Sequence, residues 1–246
     1  MNAIKSQMQN TEKLSPRSRS IGMMFDRIAP SYDRLNHLFS LGIDKLWRRS
    51  AVRRAAEIHP ERILDVATGT GDQAIALARK IKACRIVGVD ISEGMLEVAR
   101  RKIARAGLGE RVELRVGSVE ALPVTEEERF DAVTVSFGVR NFDDPAAGIR
   151  ALAEPLRQGG RLLILELSTP RNPLIRSLYG WYARRVMPAV GGALSHERGA
   201  YNYLPASVEA FMSPECVVRS MEEAGLHDCR AIPKSFGIAH LYIGTR

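Results

Sequence analysis

The chain has 246 residues, 45% of them hydrophobic and 26% charged, with 20 Gly and 12 Pro, a balance that excludes collagen-like, coiled-coil and wholly disordered chains. Its 36 Lys and Arg outweigh 28 Asp and Glu, giving a net charge of +8, so an acidic partner or surface must be considered. Three widely spaced cysteines, Cys84, Cys216 and Cys229, form no CxxC pair, which supports neither a disulfide framework nor a zinc knuckle and makes a reducing cytoplasm the simplest setting.

Residues 1–20 are polar and read as a flexible leader, without the apolar core of a signal peptide. From residue 21 to 58 the pattern is helical. Leu46/Trp47, Ala51/Val52 and Ala55/Ala56 recur at three-to-four-residue spacing, and Arg48, Arg49, Arg53 and Arg54 fall elsewhere on the wheel, predicting a helical arm with a basic face. Arg62 opens a different regime. A strand is predicted over 63–67, a helix over 72–82 and a strand over 86–90. Ser92 caps a helix running to about Arg105, followed by strands at 112–116 and 130–137, a helix at 145–157 and a strand at 161–167. This alternation implies a parallel sheet with helices on both faces. Residues 171–204, rich in Pro, Gly and aromatic side chains, interrupt it as an inserted lid. A helix at 213–225 and two strands near 227–233 and 237–244 close a single domain over 21–246. No run approaches the roughly 18 apolar residues of a membrane span.

The sharpest local feature is Asp65-Val-Ala-Thr-Gly69-Thr70-Gly71-Asp72 at a strand-to-helix turn, with Asp90 ending the next strand. Both a dinucleotide and S-adenosylmethionine (AdoMet) use such a turn with a ribose-binding acid. Charge separates them. A pyrophosphate requires the bare positive end of the helix, whereas Asp65 and Asp72 surround this turn with carboxylates, which match the sulfonium and ammonium groups of AdoMet.

The segments DVATGTGD, VGVDIS, GSVEALPV (117–124), SFGVRN (136–141) and QGGRLLILE (158–166) resemble a class I AdoMet-dependent methyltransferase over 62–167. More narrowly, MFDRIAPSYDRLNHLFSLGIDKLWRR (24–49), SFGVRNFDD (136–144) and YNYLPASVEAF (201–211) resemble the UbiE/MenG family of ubiquinone and menaquinone biosynthesis C-methyltransferases. The resemblance implies an α/β, Rossmann-like fold: a seven-stranded, mostly parallel sheet with an antiparallel last strand, carrying the N-terminal arm and lid. It places AdoMet against Gly69, Thr70 and Gly71, with Asp90 on the ribose diol, Ser118 and Val119 flanking the adenine and Ser136 lining the pocket. Two positions depart from the family: Ser118 stands where Asn or Asp is frequent, and Thr68 replaces a glycine, which requires a negative φ.

Methyl transfer is an in-line displacement, and the acceptor decides what else the site must hold. The chain lacks a (D/N)PP(Y/F) pattern after the fourth strand and a Pro-Cys nucleophile, which disfavours nucleic acid as a substrate. A reduced quinone ring becomes nucleophilic once a hydroxyl is deprotonated. Arg140 is the candidate catalytic residue, holding the phenolate or orienting a water, with an ion pair to Asp143 or Asp144 as the plain structural alternative. Asn141, Asp33, Tyr201 and Tyr203 are candidate substrate contacts, with Tyr32 and His196 behind them; Trp181 and Tyr182 are expected in the lid core. No metal site is expected. The expected substrate is a polyprenylated quinol, demethylmenaquinol first, with the ubiquinone precursor, both, or a soluble small molecule as alternatives. Because the arm (11 basic, 5 acidic over 1–58) and the lid (5 basic, 1 acidic) hold the entire charge excess, an anionic membrane surface is the expected peripheral partner; a homodimer is also allowed.

Overall fold

The computed structural model describes residues 14–187 and 198–246, the side chains of 198–202 aside. Seven strands form one sheet: β1 (Arg62–Val66), β2 (Arg85–Asp90), β3 (Val112–Val116), β4 (Phe130–Ser136), β5 (Leu156–Leu167), β6 (His227–Lys234) and β7 (Ala239–Thr245), in the order β3-β2-β1-β4-β5-β7-β6. The first five are parallel, and β7 runs antiparallel to both β5 and β6. Near-continuous apolar runs in β1, β4 and β5 are what a sheet covered on both faces requires.

Strand alternation assigns each residue to one face. Ile63, Ile86, Ala132 and Leu163 meet Trp47, Ala51, Val52 and Ala55 of α3 (Ile43–Ala56), together with α4 (Asp72–Lys80) and α5 (Glu93–Arg105). Leu64, Val87, Val133 and Ile164 meet Ile149 and Leu152 of α6 (Pro145–Ala153), and Val217 and Met221 of α9 (Pro214–Glu223). The helix expected to reach residue 157 stops at Ala153. Pro155 has no N–H to continue it, and Leu156 already pairs with Phe130 as the start of β5.

The arm is three helices: α1 (Pro16–Ile28), α2 (Tyr32–Phe39) and α3. The leader reading therefore fails at residues 16–20. Ser15 caps α1 by accepting from Ser18 N at 3.0 Å, Pro16 sits in the first turn, and Ser18 Oγ donates to Asp143 at 3.0 Å. Residues 1–13 lie outside the described part. Leu46, expected on the buried face of α3, is 58% exposed, and Arg48 points inward instead. The lid contributes α7 (Pro173–Trp181), a π-turn through Val186 and α8 (Arg198–Glu209). Tyr182 donates to the Phe39 carbonyl at 3.1 Å, but Trp181 lies 58% exposed, against its expected place in the lid core.

Candidate active site

From β1 the chain winds to β2 and β3 on one side, and from β4 to β5 on the other, so the loops after β1 and β4 part and leave a crevice at their carboxyl ends. The β1 loop coils tightly through Ala67 (φ +51°), Gly69 (φ +55°) and Gly71 (φ +80°), while Thr68 keeps a negative φ. Thr68 Oγ1 donates to Asp65 at 2.6 Å, and Thr134 Oγ1 donates to its other oxygen at 2.6 Å. Opposite, Gly138 presses so close that an added Cβ would lie 2.5 Å from Ala67 Cβ. Gly138→Ala is therefore expected to cost about 1–3 kcal/mol in thermal or denaturant unfolding, and Ala67→Gly in the same chain to restore most of it by vacating the space and relieving the positive φ.

An open cavity of about 660 Å³ occupies this crevice. Gly69, Asp90, Ser118, Val119 and Ser136, named from the sequence as cofactor contacts, line it together with Asn141, named as a substrate contact, and Ile91, Met95 and Phe142 add apolar wall. Asp90 accepts from Gly69 N at 2.7 Å and Ser92 N at 2.9 Å; burial nevertheless pushes its carboxyl up to about 6. Ser136 Oγ is buried without a hydrogen-bond partner among the described residues. The arm roofs the site with Ser18, Ile21, Phe25 and Tyr32. It is latched by Asp26, which accepts from Ser92 Oγ at 2.6 Å and Gly94 N at 2.9 Å at the start of α5.

Thr70 and Gly71 line the turn's outer side, not the cavity. Thr70 Oγ1 donates to Asp33 at 2.5 Å; Lys102 Nζ bridges Asp33 (2.6 Å) and Asp72 (2.5 Å); His37 stands 3.7 Å from Asp72 and 2.9 Å from Asp44. Asp33 thus joins the arm to the turn, rather than reaching into either cavity. Asp65 and Asp72 are likewise spent on Thr hydroxyls and Lys102, so the carboxylates that line the cofactor cavity among the described residues are those of Asp90, which is buried, and Glu120. Burial dominates at Asp72 too, yet Lys102 and other cations leave its carboxyl below the ordinary value.

A second, larger cavity of about 1370 Å³ lies under the arm and lid, lined by Phe39, Trp47, Leu178, Tyr179 and Met187 among other apolar side chains. Tyr32 and Phe137 line both cavities and form their common wall. Two guanidinium groups face the second cavity. Arg140 donates to Glu166 Oε1 at 2.6 Å and to the Phe137 carbonyl at 2.5 Å, which overturns Asp143 or Asp144 as its ion-pair partner. Burial works against its charge, but Glu166 and the hydroxyls of Tyr32 and Tyr203 outweigh it and raise the pKa. Arg48, counted in the sequence among the basic face of α3, stacks over Phe137 at 5.0 Å and reaches Asp44 at 4.0 Å. The Nε atoms of both arginines are buried without a hydrogen-bond partner among the described residues, that of Arg48 lying at ion-pair distance only from Asp44. Tyr203 donates to Asn141 Oδ1 at 3.1 Å; the side chain of Tyr201 and all of His196 lie outside the described residues. Sequence reasoning missed Glu166, although a lone acid inside the apolar strand LLILEL was its signal, and it missed that Arg48 turns inward.

The residues present fit AdoMet: the buried acid Asp90, which can accept from ribose hydroxyls, apolar side chains of Val119, Ile91 and Phe142 on the cavity wall, and a Ser136 hydroxyl with no hydrogen-bond partner among the described residues. A model of the ubiE/COQ5 methyltransferase family matches residues 11–246. A demethylmenaquinone methyltransferase from Bacteroides fragilis is 39% identical over 96% of this chain and 98% of its own. Ubiquinone/menaquinone biosynthesis C-methyltransferases UbiE from Geobacter sulfurreducens and Syntrophotalea carbinolica are 42% and 44% identical, over 95% and 91% of this chain and 91% and 92% of theirs. Among solved structures, a SAM-dependent methyltransferase from Thermotoga maritima aligns with a TM-score of 0.61 at 21% identity, covering 91% of this chain and 98% of that one. Human N-acetylserotonin methyltransferase in complex with SAM aligns at 0.59 and 16%, covering 89% and 57%; both share the fold. The chain belongs to the ubiE/COQ5 methyltransferase family.

Proposed function

We propose that the protein transfers a methyl group from AdoMet to a ring carbon of a polyprenylated quinol, demethylmenaquinol first and the ubiquinone-pathway benzoquinol second. The observation that carries this is the common wall: a cavity lined by the buried acid Asp90 meets, across Tyr32 and Phe137, a larger apolar cavity faced by two arginines whose Nε atoms have no hydrogen-bond partner among the described residues. The names of the relatives agree with it. YNYLPASVEAF, closer to the menaquinone type, sets the order of the two substrates.

When bound, AdoMet supplies an electrophilic methyl carbon. The protein's part is to align, desolvate and stabilise charge. Asp90 takes the ribose hydroxyls, Ser118 and Val119 flank the adenine, and Ser136 offers its orphaned hydroxyl. Arg140, fixed by Glu166, holds one quinol oxygen while a water takes its proton, concentrating electron density on the adjacent ring carbon; once that carbon has gained the methyl group, it loses its own proton to water and the ring regains aromaticity. Arg48 meets the other oxygen, and Asn141, held by Tyr203, orients the ring at the common wall. Tyr32 is kept a neutral phenol, its pKa raised by burial although Arg140 and Arg48 pull the other way. The apolar lining takes the prenyl chain, and a polyprenylated substrate held in a bilayer supports the reading of a cytoplasmic enzyme that works peripherally at an anionic membrane.

The test is transfer of label from AdoMet to reduced demethylmenaquinone and, alongside it, to the reduced demethyl benzoquinone precursor. Turnover on neither rejects the substrate class. In the same assay Arg48→Met is expected to lower kcat/KM on the quinol about 10–100-fold, the loss of one charge-assisted hydrogen bond, with AdoMet affinity unchanged. Parallel loss of AdoMet affinity would reduce Arg48 to a support of the fold.

A further inference from the structure

Large apolar side chains sit in solvent at several points of this molecule, and six of them belong to three elements around the mouth of the second cavity. Leu41 is 80% exposed and Ile43 follows it into α3; Leu174, Leu178 and Trp181 lie one to two turns apart on a single face of α7; Phe236, 82% exposed, tips the turn before β7. Leu41, Ile43, Leu178 and Trp181 themselves line the cavity, and Ser235 and Ile238 line it on either side of Phe236. The six thus form a collar around one opening rather than scattered surface residues.

Phe236 sharpens the point. It and Ser235 both hold positive φ (+58° and +44°), a conformation costly for side chains with a Cβ, and Trp47 Nε1 helps fix the turn by donating to Ser235 Oγ at 3.0 Å. In water the aromatic ring gains nothing from that strained presentation. Charge selects the kind of surface that would cover it. Between residues 41 and 56 the one acid, Asp44, is buried, while Lys45, Arg49 and Arg53 are exposed. Between 171 and 187 there is no acid, and Arg176 and Arg185 are exposed. Exposed Glu215 and Glu209 pair with Arg171 and Arg184, so the charge around the collar is a local excess of cations; apolar side chains in such a setting, with a tryptophan at the edge, match an anionic lipid interface.

We infer that this collar is the bilayer-docking face: Leu41, Leu174, Leu178, Trp181 and Phe236 enter the headgroup region of an anionic membrane, with the cavity mouth opening directly into the lipid. This deepens the quinol reading and rests on it only for its purpose. It also replaces the basic face of α3 as the principal anchor, because Arg48 is turned inward and Arg54 is paired with Glu57 at 2.8 Å.

Sedimentation of the full chain with vesicles of phosphatidylcholine, alone or mixed with phosphatidylglycerol, without AdoMet or quinol, tests it. Wild type is expected to bind the mixed vesicles and bind pure phosphatidylcholine weakly. Leu174→Asp with Phe236→Asp, neither of which lines a cavity, should lower partitioning about tenfold or more, with turnover on a short-chain, water-soluble quinol unchanged. Three results would overturn the docking face: unaltered partitioning of the double variant, equal binding of wild type to both vesicles, or a vesicle-free dimer that the double variant dissociates, which would assign the collar to a second copy. Because partitioning is read without catalysis, vesicle binding without quinol methylation would reject the function alone, and methylation without vesicle binding the docking face alone.

Discussion

Replacing Glu166 with Leu is expected to destabilise the protein by about 3–5 kcal/mol, lowering its melting temperature by on the order of 10 °C, and to abolish quinol methylation. Glu166 is wholly buried at the carboxyl end of β5 and accepts from the Arg140 guanidinium, from Arg140 N at 3.2 Å and from Leu167 N at 2.8 Å. Removing the carboxylate leaves a buried guanidinium with the Phe137 carbonyl as its one remaining hydrogen-bond partner among the described residues. The informative variant is the double one, Arg140→Met with Glu166→Leu. Replacing a buried ion pair by apolar groups of similar volume is frequently neutral in stability, so unfolding measurements should show recovery of most of the lost free energy. Activity should not return, because the group that holds the quinol oxygen is gone. A double variant that recovers both would make the pair a structural feature and remove Arg140 from the chemistry; Arg140→Lys should recover charge but not the fork geometry, giving a folded and slow enzyme.

Asp90→Ala is expected to weaken AdoMet binding 100-fold or more, since it removes the acceptor for two ribose hydroxyls and leaves Gly69 N and Ser92 N without their carboxylate. The pH dependence carries more information. Burial raises Asp90 from 3.8 to about 6, so between those values the folded protein holds a proton that the unfolded chain has released. Its contribution to stability therefore declines as pH rises through that window, and above about pH 6 the buried charge costs about 3 kcal/mol. Hydroxyl donors from a ribose favour the ionised form. Binding should then release protons between pH 4 and 6, and affinity should climb with pH across that interval before levelling. Titration calorimetry in two buffers of different ionisation enthalpy reads the proton count directly; a proton-free, pH-independent affinity would place the ribose elsewhere.

The cofactor half of the site was legible because its parts are local. A glycine turn and an acid at the end of the next strand are each held by a few consecutive peptides, so spacing alone marks Gly69 and Asp90, while the family resemblance supplied Ser118, Val119 and Ser136 after β3 and β4; all five line one cavity. Even there, the carboxylates that suggested a cationic ligand were misplaced: Asp65 and Asp72 find partners at Thr134 and Lys102, distant in sequence. The acceptor half was less legible. Arg48 and Arg49 are adjacent and chemically alike, yet one stacks on Phe137 inside the cavity and the other lies in solvent. A helical wheel ranks positions by hydrophobicity and has no means of assigning an arginine to a cavity that two other segments create.

The sequence by itself determined the alternation of strands and helices, the glycine turn with its acid, the arm, the lid and the location of the basic excess, because each depends on interactions among neighbours along the chain. Only the tertiary structure decided that Asp33 joins the arm to the turn, that Glu166 is the partner of Arg140, that Tyr32 and Phe137 divide two cavities, and that exposed apolar side chains from three separate elements ring a single opening. Those outcomes depend on where β5, α7 and the arm come to lie over β1 and β4, which is set by the packing of the whole sheet and not by any one segment.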